Sequence, residues 1–337
     1  MADRLDLHIA GELGGPVLAV GGAGFVGSHT VRLLQQHGIP VVVFDNLSSG
    51  HRRLVSAPLE VGNLADREAL RRVFEVHRPA AVLHFAAKCY VGESVDHPAM
   101  YYRENVVHTW NLLEAMRHAD CRRIVFSSSC AVYGIPQRLP IDESHQKEPI
   151  SPYGRTKLHM EHMMEDFAHA YGLSFVALRY FNAAGASQDA SIGELHDPET
   201  HLIPIALQVA LGQRPKIMVF GDDYETPDGT CIRDYIHVED LATAHLQALA
   251  SLVAPAQRTA AFNLGVGAGF SVLEVIEAAR RVTGHPIPAE ITARRAGDPP
   301  VLICAADQAR EHLGWRPERP GLEDMVRDAW RFLRQQA

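Results

Sequence analysis

A doubly wound α/β fold built on a parallel sheet is predicted by three features of this 337-residue sequence. Short, continuous apolar runs alternate with helical patterns through the first half. A glycine-punctuated turn joins the first run to the first helix. The regular alternation then fades after residue 182. Apolar strands without polar alternation, separated by helices, specify a sheet covered on both faces.

The elements follow in order. Residues 16–21 (PVLAVG) form the first apolar run, and 25–37 carry a helical pattern that stops at Gly38 with Pro40 just beyond. Residues 40–45 (PVVVFD) are a β-branched strand. A short strand near 59–61, a helix over 65–77 and a strand at 80–85 repeat the unit. A helix over about 98–119, a strand at 122–127, a helix over 152–171 and a strand at 174–180 extend it. The 152–171 helix has its own signals: Ser151 as N-cap, Pro152 in the first turn and Gly172 just past the end. Residues 16–182 therefore read as a Rossmann-type dinucleotide-binding domain. A strand and helix at 232–248 and a strand at 260–265 are expected to return to it. Residues 183–231 and 266–337 then form a smaller C-terminal substrate-binding lobe. Residues 1–15 read as a short arm without the basic-then-apolar order of a signal peptide.

Composition narrows the function classes. Apolar residues make up 47% and charged residues 21%, as in ordinary globular chains. A net charge of −8 gives no reason to expect nucleic acid or an anionic membrane as partner. The sequence holds no uncharged apolar run of spanning length. Five widely spaced cysteines without a Cys-x-x-Cys pair fit a reducing cytoplasm. The 19 histidines show no H-E-x-x-H spacing, so no metal is expected. Cys130 reads as a small buried filler and not as a nucleophile.

Gly21, Gly24 and Gly27 give a G-x-x-G-x-x-G turn between a strand and a helix. Such a turn lets a diphosphate approach bare backbone at a helix N-terminus, where free N–H groups and the positive dipole end meet it. Asp45 closes the second strand, where a carboxylate accepts bonds from an adenosine ribose and repels a 2′-phosphate, favouring NAD. Its plainer alternative is a turn residue ahead of Asn46. Ala86 and Ala87 end the fourth strand with small side chains, suited to a flat cofactor or simply to tight packing.

Tyr153 and Lys157 stand four apart near a helix start, so they share one face. A phenol of pKa about 10 is only ~0.1% ionised at pH 7. Lowering that value by ~3 units takes ~4 kcal/mol, which an ammonium and an oxidised nicotinamide can share. A Tyr-x-x-x-Lys pair alone is common on solvated helices. Ser129 adds weight, because it ends the fifth strand at the edge where open α/β sheets bind ligands.

The segments GGAGFVGSHT (21–30), FDNLSSG (44–50), HFAAKCYVGESV (84–95), SSSCAVYG (127–134) and SPYGRTK (151–157) occur in that order. They are followed by RYFNAAGA (179–186), RDYIHVEDLA (233–242), NLGVG (263–267) and RRAGD (294–298). From about residue 17 to 331 the chain thereby resembles the extended short-chain dehydrogenase/reductase family, in its nucleotide-sugar 4-epimerase branch. The resemblance implies a UDP-sugar substrate, with interconversion of UDP-glucose and UDP-galactose as the expected reaction. It implies that Tyr153 deprotonates the 4-hydroxyl with help from Ser129, that Lys157 holds the cofactor ribose, and that hydride passes from carbon 4 to NAD and back. The NAD contacts implied are Phe25, Val26, Asp45, Asn46, Ser48, Ser49, Gly50, Asn63, Leu64, Phe85, Ala86, Asn105 and Tyr180, beside Gly21, Gly24, Gly27 and Ala87. Those implied for the nucleotide sugar are Asn182, His201, Leu202, Val219, Phe220, Arg233, Arg295 and Asp298. A homodimer is implied as well, through helices near 98–119 and 152–171.

Three positions depart from the family pattern. Asn63 stands where Asp is common. The Lys88-Cys89 order differs from relatives with lysine at the second position. Leu302 replaces a tyrosine or a smaller residue beside the sugar's 2-substituent, which leaves room for an N-acetyl group. A dehydratase on the same fold needs carboxylates after the hydroxyl residue, and Cys130-Ala131 supply none. A UDP-pentose or uronate 4-epimerase stays open, as does, from another class, a catalytically silent NAD-binding regulator.

Overall fold

The computed structural model describes residues 11–253, 258–295 and 298–336. Most of the 1–15 arm lies outside them.

Seven parallel strands form the main sheet, in the order β10-β6-β5-β4-β1-β2-β3. They are β1 (Val17–Val20), β2 (Val41–Asp45), β3 (Leu59–Val61), β4 (Ala81–His84), β5 (Arg123–Ser129), β6 (Ser174–Tyr180) and β10 (Thr259–Leu264). Strand order reverses between β1 and β4, and the carboxyl ends there open a crevice. The helices Phe25–Gln36 and Val238–Val253 cover one face over a core that includes Val31, Leu34, Leu241 and Leu249. The helices Arg67–His77, His108–His118 and Pro152–Tyr171 cover the other, over Leu70, Leu112, Met160 and Met164. Because both faces are buried, the strands need no polar alternation.

The helix Pro152–Tyr171 begins and ends as its residues predict. The Ser151 hydroxyl accepts from the Gly154 N–H at 3.1 Å, and Gly172 takes the left-handed conformation at φ +70°. The helix expected over 98–119 is interrupted: Pro98–Tyr101 and His108–His118 flank a π-helical stretch, Tyr102–Val107. No breaker residue marks that change in the sequence.

A smaller lobe holds β7 (Asn182–Ala184), β8 (Ile217–Phe220), β9 (Ile232–His237), β11 (Gly269–Ser271), β12 (Ala289–Thr292) and β13 (Val301–Leu302). Strand β9 corrects one expectation. It does not join the main sheet but pairs with β7, β11 and β13, while β12 pairs with β8. Strand β9 carries Arg233, Asp234 and His237 in place of a continuous apolar run, and the buried Asp234 accepts from the backbone N–H groups of Val266, Gly267 and Cys304 in place of sheet-face packing. The helices Leu202–Ala210, Val272–Thr283 and Leu322–Arg334 enclose this lobe's core around Leu207, Ile276 and Met325.

Candidate active site

The glycine turn sits at the point where strand order reverses. Gly21 has φ +78°, and a Cβ there would lie 2.5 Å from the Ala86 backbone nitrogen. That nitrogen donates to the Val20 carbonyl at 3.1 Å, so the ends of β1 and β4 are locked together. A Cβ on Gly27 would meet the Gly21 carbonyl oxygen at 2.5 Å. Gly24 differs, since its Cβ would touch only one protein atom, at 3.4 Å. Gly24 is also the N-cap of Phe25–Gln36, and no side chain caps that helix. The open side of the turn thus presents backbone N–H groups of the Phe25-Val26 region, as a bound diphosphate requires. Such a cradle fits a dinucleotide.

Asp45 is buried, and its carboxylate accepts from Ala23 N at 3.0 Å and Leu47 N at 2.8 Å. About four acceptor positions exist on a carboxylate, so some stay free for ribose hydroxyls. Asn46, Ser48 and Ser49 are exposed beside it, and Gly50 passes so close that a Cβ would lie 2.9 Å from Asp45 Oδ1. Asn63 Oδ1 accepts from Ala65 N at 2.8 Å, whereas Leu64 packs into the core. Phe85, Ala86 and Ala87 are half-buried at the exit of β4. The Asn105 side chain is fully buried behind this edge. Its amide accepts from Lys88 N at 2.8 Å and donates to Lys88 O and Thr156 Oγ1. Asn105 thereby positions the 88 loop and the Tyr153 helix, and its amide oxygen keeps one acceptor position.

Ser129 and Tyr180 face each other as register partners at the ends of β5 and β6. The Ser129 hydroxyl accepts from Ala131 N at 3.2 Å and lies near enough to the Tyr153 phenol to favour its ionised form. Lys157 donates to the Ser127 carbonyl at 2.7 Å, and its Nζ stands 5.9 Å from the centre of the Tyr153 ring. Ser129, Tyr153 and Lys157 are therefore one constellation. Burial pushes the Tyr153 phenol well above its ordinary value, against the opposing influence of Ser129. Burial also pulls the Lys157 ammonium down to about 8. In the protein without cofactor, desolvation therefore dominates the Tyr153 phenol. Burial likewise raises Tyr180 to about 12.

The eight residues expected at a nucleotide sugar lie in the smaller lobe, and four of them, Asn182, Val219, Phe220 and Arg233, are on its strands. Arg233 on β9 is the register partner of Leu302 on β13, and its guanidinium pairs with Asp298. The Arg295 guanidinium stacks 4.0 Å over the Phe220 ring. Asn182 starts β7, half-buried. Leu202 opens a helix N-capped by His201. Val219 is the exception, because its side chain is sealed in the lobe's core and only its backbone can face a ligand.

Two groups escaped the sequence reading. Glu161 and Arg179 form a buried ion pair beneath the catalytic helix, with Ser128 and Tyr133 attached. Glu194, His196, Glu199 and His201 converge within one loop. The signal available for the second was the E-x-H-x-x-E-x-H spacing at 194–201.

The model of the NAD dependent epimerase/dehydratase family matches residues 17–265. The chain is 53% identical to the UDP-glucose 4-epimerase of Halalkalibacterium halodurans, over 94% of this chain and 95% of that one. The UDP-glucose 4-epimerase of Brucella ovis, solved in complex with NAD, is 52% identical. It superposes with a TM-score of 0.91 over 94% of this chain and 97% of that one. The enzyme of Bifidobacterium longum in complex with NAD+ and UDP is 37% identical, with a TM-score of 0.90 over 95% and 98%. The chain belongs to the NAD dependent epimerase/dehydratase family.

Proposed function

We propose that this chain is an NAD-dependent nucleotide-sugar 4-epimerase that interconverts UDP-glucose and UDP-galactose. The observation that carries the reading is the Ser129–Tyr153–Lys157 constellation at the same sheet edge as the open glycine turn. A silent NAD-binding regulator would need the turn but no proton acceptor. Relatives named as this enzyme, one of them solved with NAD, support the reading.

The turn from Gly21 to Gly27 holds the diphosphate of the cofactor, and Asp45 holds its adenosine ribose. NAD supplies a hydride acceptor at the edge of β4 and β5. Tyr153 takes the proton of the sugar's 4-hydroxyl, and Ser129 orients the same oxygen. Lys157 stabilises the negative phenol oxygen. Burial keeps that phenol neutral until positive charge enters the cleft, so proton abstraction is tied to a loaded site. After the 4-keto sugar turns its other face and hydride returns, Tyr153 gives the proton back. Arg233 and Arg295 supply planar, charge-assisted donors for the UDP diphosphate. Incubation with UDP-galactose and no added NAD tests this reading. UDP-glucose should form, and denaturation should release bound cofactor; absence of both rejects it.

A second reading is favoured by Leu302, which lies beside Arg233 and is smaller than tyrosine. It is use of UDP-N-acetylhexosamines as well. A kcat/KM preference above about a thousandfold for the plain hexose rejects it.

We also propose that the enzyme works in the cytoplasm as a homodimer. Val91, Val95, Tyr102, Val107 and Trp110 leave apolar surface exposed along the helical segments 91–118. Light scattering should give twice the 37.1 kDa chain mass, and Trp110→Asp should yield monomer. A monomeric parent protein rejects the dimer.

A further inference from the structure

We propose that Glu194, His196, Glu199 and His201 form a binding site for one divalent transition-metal ion of the zinc class. The four residues lie in an eight-residue stretch between β7 and the helix Leu202–Ala210. One ligand atom from each lies within 4.8 Å of every other. Tetrahedral zinc with bonds near 2.1 Å separates its ligand atoms by about 3.4 Å. His196 Nδ1 stands 2.9 Å from Glu194 Oε1 and 4.0 Å from Glu199 Oε1. His201 Nδ1 stands 2.5 and 3.6 Å from the same two atoms. These separations bracket the tetrahedral value. Two imidazole nitrogens with two carboxylate oxygens are a donor set that zinc accepts.

Two further observations point to a cation. Glu194 and Glu199 are both buried, and bringing two carboxylates together out of water is costly unless positive charge joins them. His196 Nδ1 is sealed from solvent and, despite its closeness to Glu194, makes no hydrogen bond. An ion pair alone would leave that nitrogen orphaned, whereas a metal at the shared centre would use it. The supports that orient metal ligands are also present. Glu199 accepts from the backbone N–H groups of Thr200 and His201, both at 2.8 Å, and Arg214 donates to its carbonyl at 3.2 Å. The neighbouring Leu195 carbonyl bonds His51 Nε2 at 2.8 Å, which ties this loop to the one after Gly50. The metal would act as a structural staple holding the loop between the two lobes.

The test is titration of the chelator-treated full chain with zinc chloride against a chromophoric competitor, with thermal melting in parallel. One equivalent should bind at micromolar zinc and raise Tm. His196→Asn, and separately His196→Asn with Glu199→Gln, should weaken binding at least about a hundredfold and abolish the rise. Wild-type protein that takes up no equivalent overturns the proposal, and so does a folded His196→Asn variant that binds as tightly as wild type.

Discussion

Replacing Lys157 with Met should make the protein more stable at pH 7 while removing its activity. The ammonium is buried, and burial lowers its pKa from 10.5 to about 8. At about 1.4 kcal/mol per unit, keeping the charge in the folded state costs about 3 kcal/mol. The bond to the Ser127 carbonyl offsets this, and losing a charge-assisted bond costs about 1.5–3 kcal/mol. Met and Lys have similar helix propensity, so the backbone is neutral to the change. The net expectation is a gain of about 1 kcal/mol at pH 7. Its pH dependence has a definite sign. Between about 8 and 10.5 the unfolded chain holds the Lys157 proton and the folded chain does not, so wild-type stability rises with pH relative to the variant. The variant's advantage should vanish and reverse across that window. Urea unfolding of both proteins without cofactor at pH 7 and pH 10 measures the difference. A variant less stable than wild type at pH 7, or a difference that ignores pH, refutes the reasoning.

Tyr153→Phe keeps the ring and its contacts but removes the proton acceptor. Turnover should fall by about 10²–10⁴-fold with bound cofactor unchanged, measured by coupled assay and cofactor release. Gly21→Ala pushes a methyl against the Ala86 backbone at a positive φ, and soluble protein should lose cofactor or fail to accumulate. Glu161→Ala strands the buried Arg179 guanidinium without its carboxylate, bonded at 2.5 and 3.0 Å in the parent. It should cost about 3–5 kcal/mol in urea melts. A loss under about 1 kcal/mol would mean the pair is not the brace it resembles.

Local signals made much of the large sheet readable. Ser151, Pro152 and Gly172 delimit their helix because capping acts within a few residues. Val41–Asp45 and Ser174–Tyr180 declare themselves because both faces of a doubly covered strand are apolar. Strand β9 was placed wrongly because its pairing partners, Asn182–Ala184, Gly269–Ser271 and Val301–Leu302, are short, scattered segments. The π-helical stretch at Tyr102–Val107 leaves no compositional trace, and the contacts its Asn105 makes, to Lys88 and Thr156, lie far away in sequence. Spacing placed Tyr153 and Lys157 on one face. The burial that raises the Tyr153 phenol and lowers the Lys157 ammonium is not legible there, because desolvation depends on everything packed around the two residues. The 194–201 cluster was passed over because its ligands sit on a loop, where no helical or strand period groups them.

The central claim is that one hydride leaves carbon 4 and returns to the same carbon without exchanging with water. The most direct measurement is conversion of UDP-galactose deuterated at carbon 4, with no added NAD, followed by mass and NMR analysis of the product. The account predicts UDP-glucose with the deuterium still on carbon 4. Deuterium lost to solvent, or no conversion by protein that holds the cofactor, would contradict it.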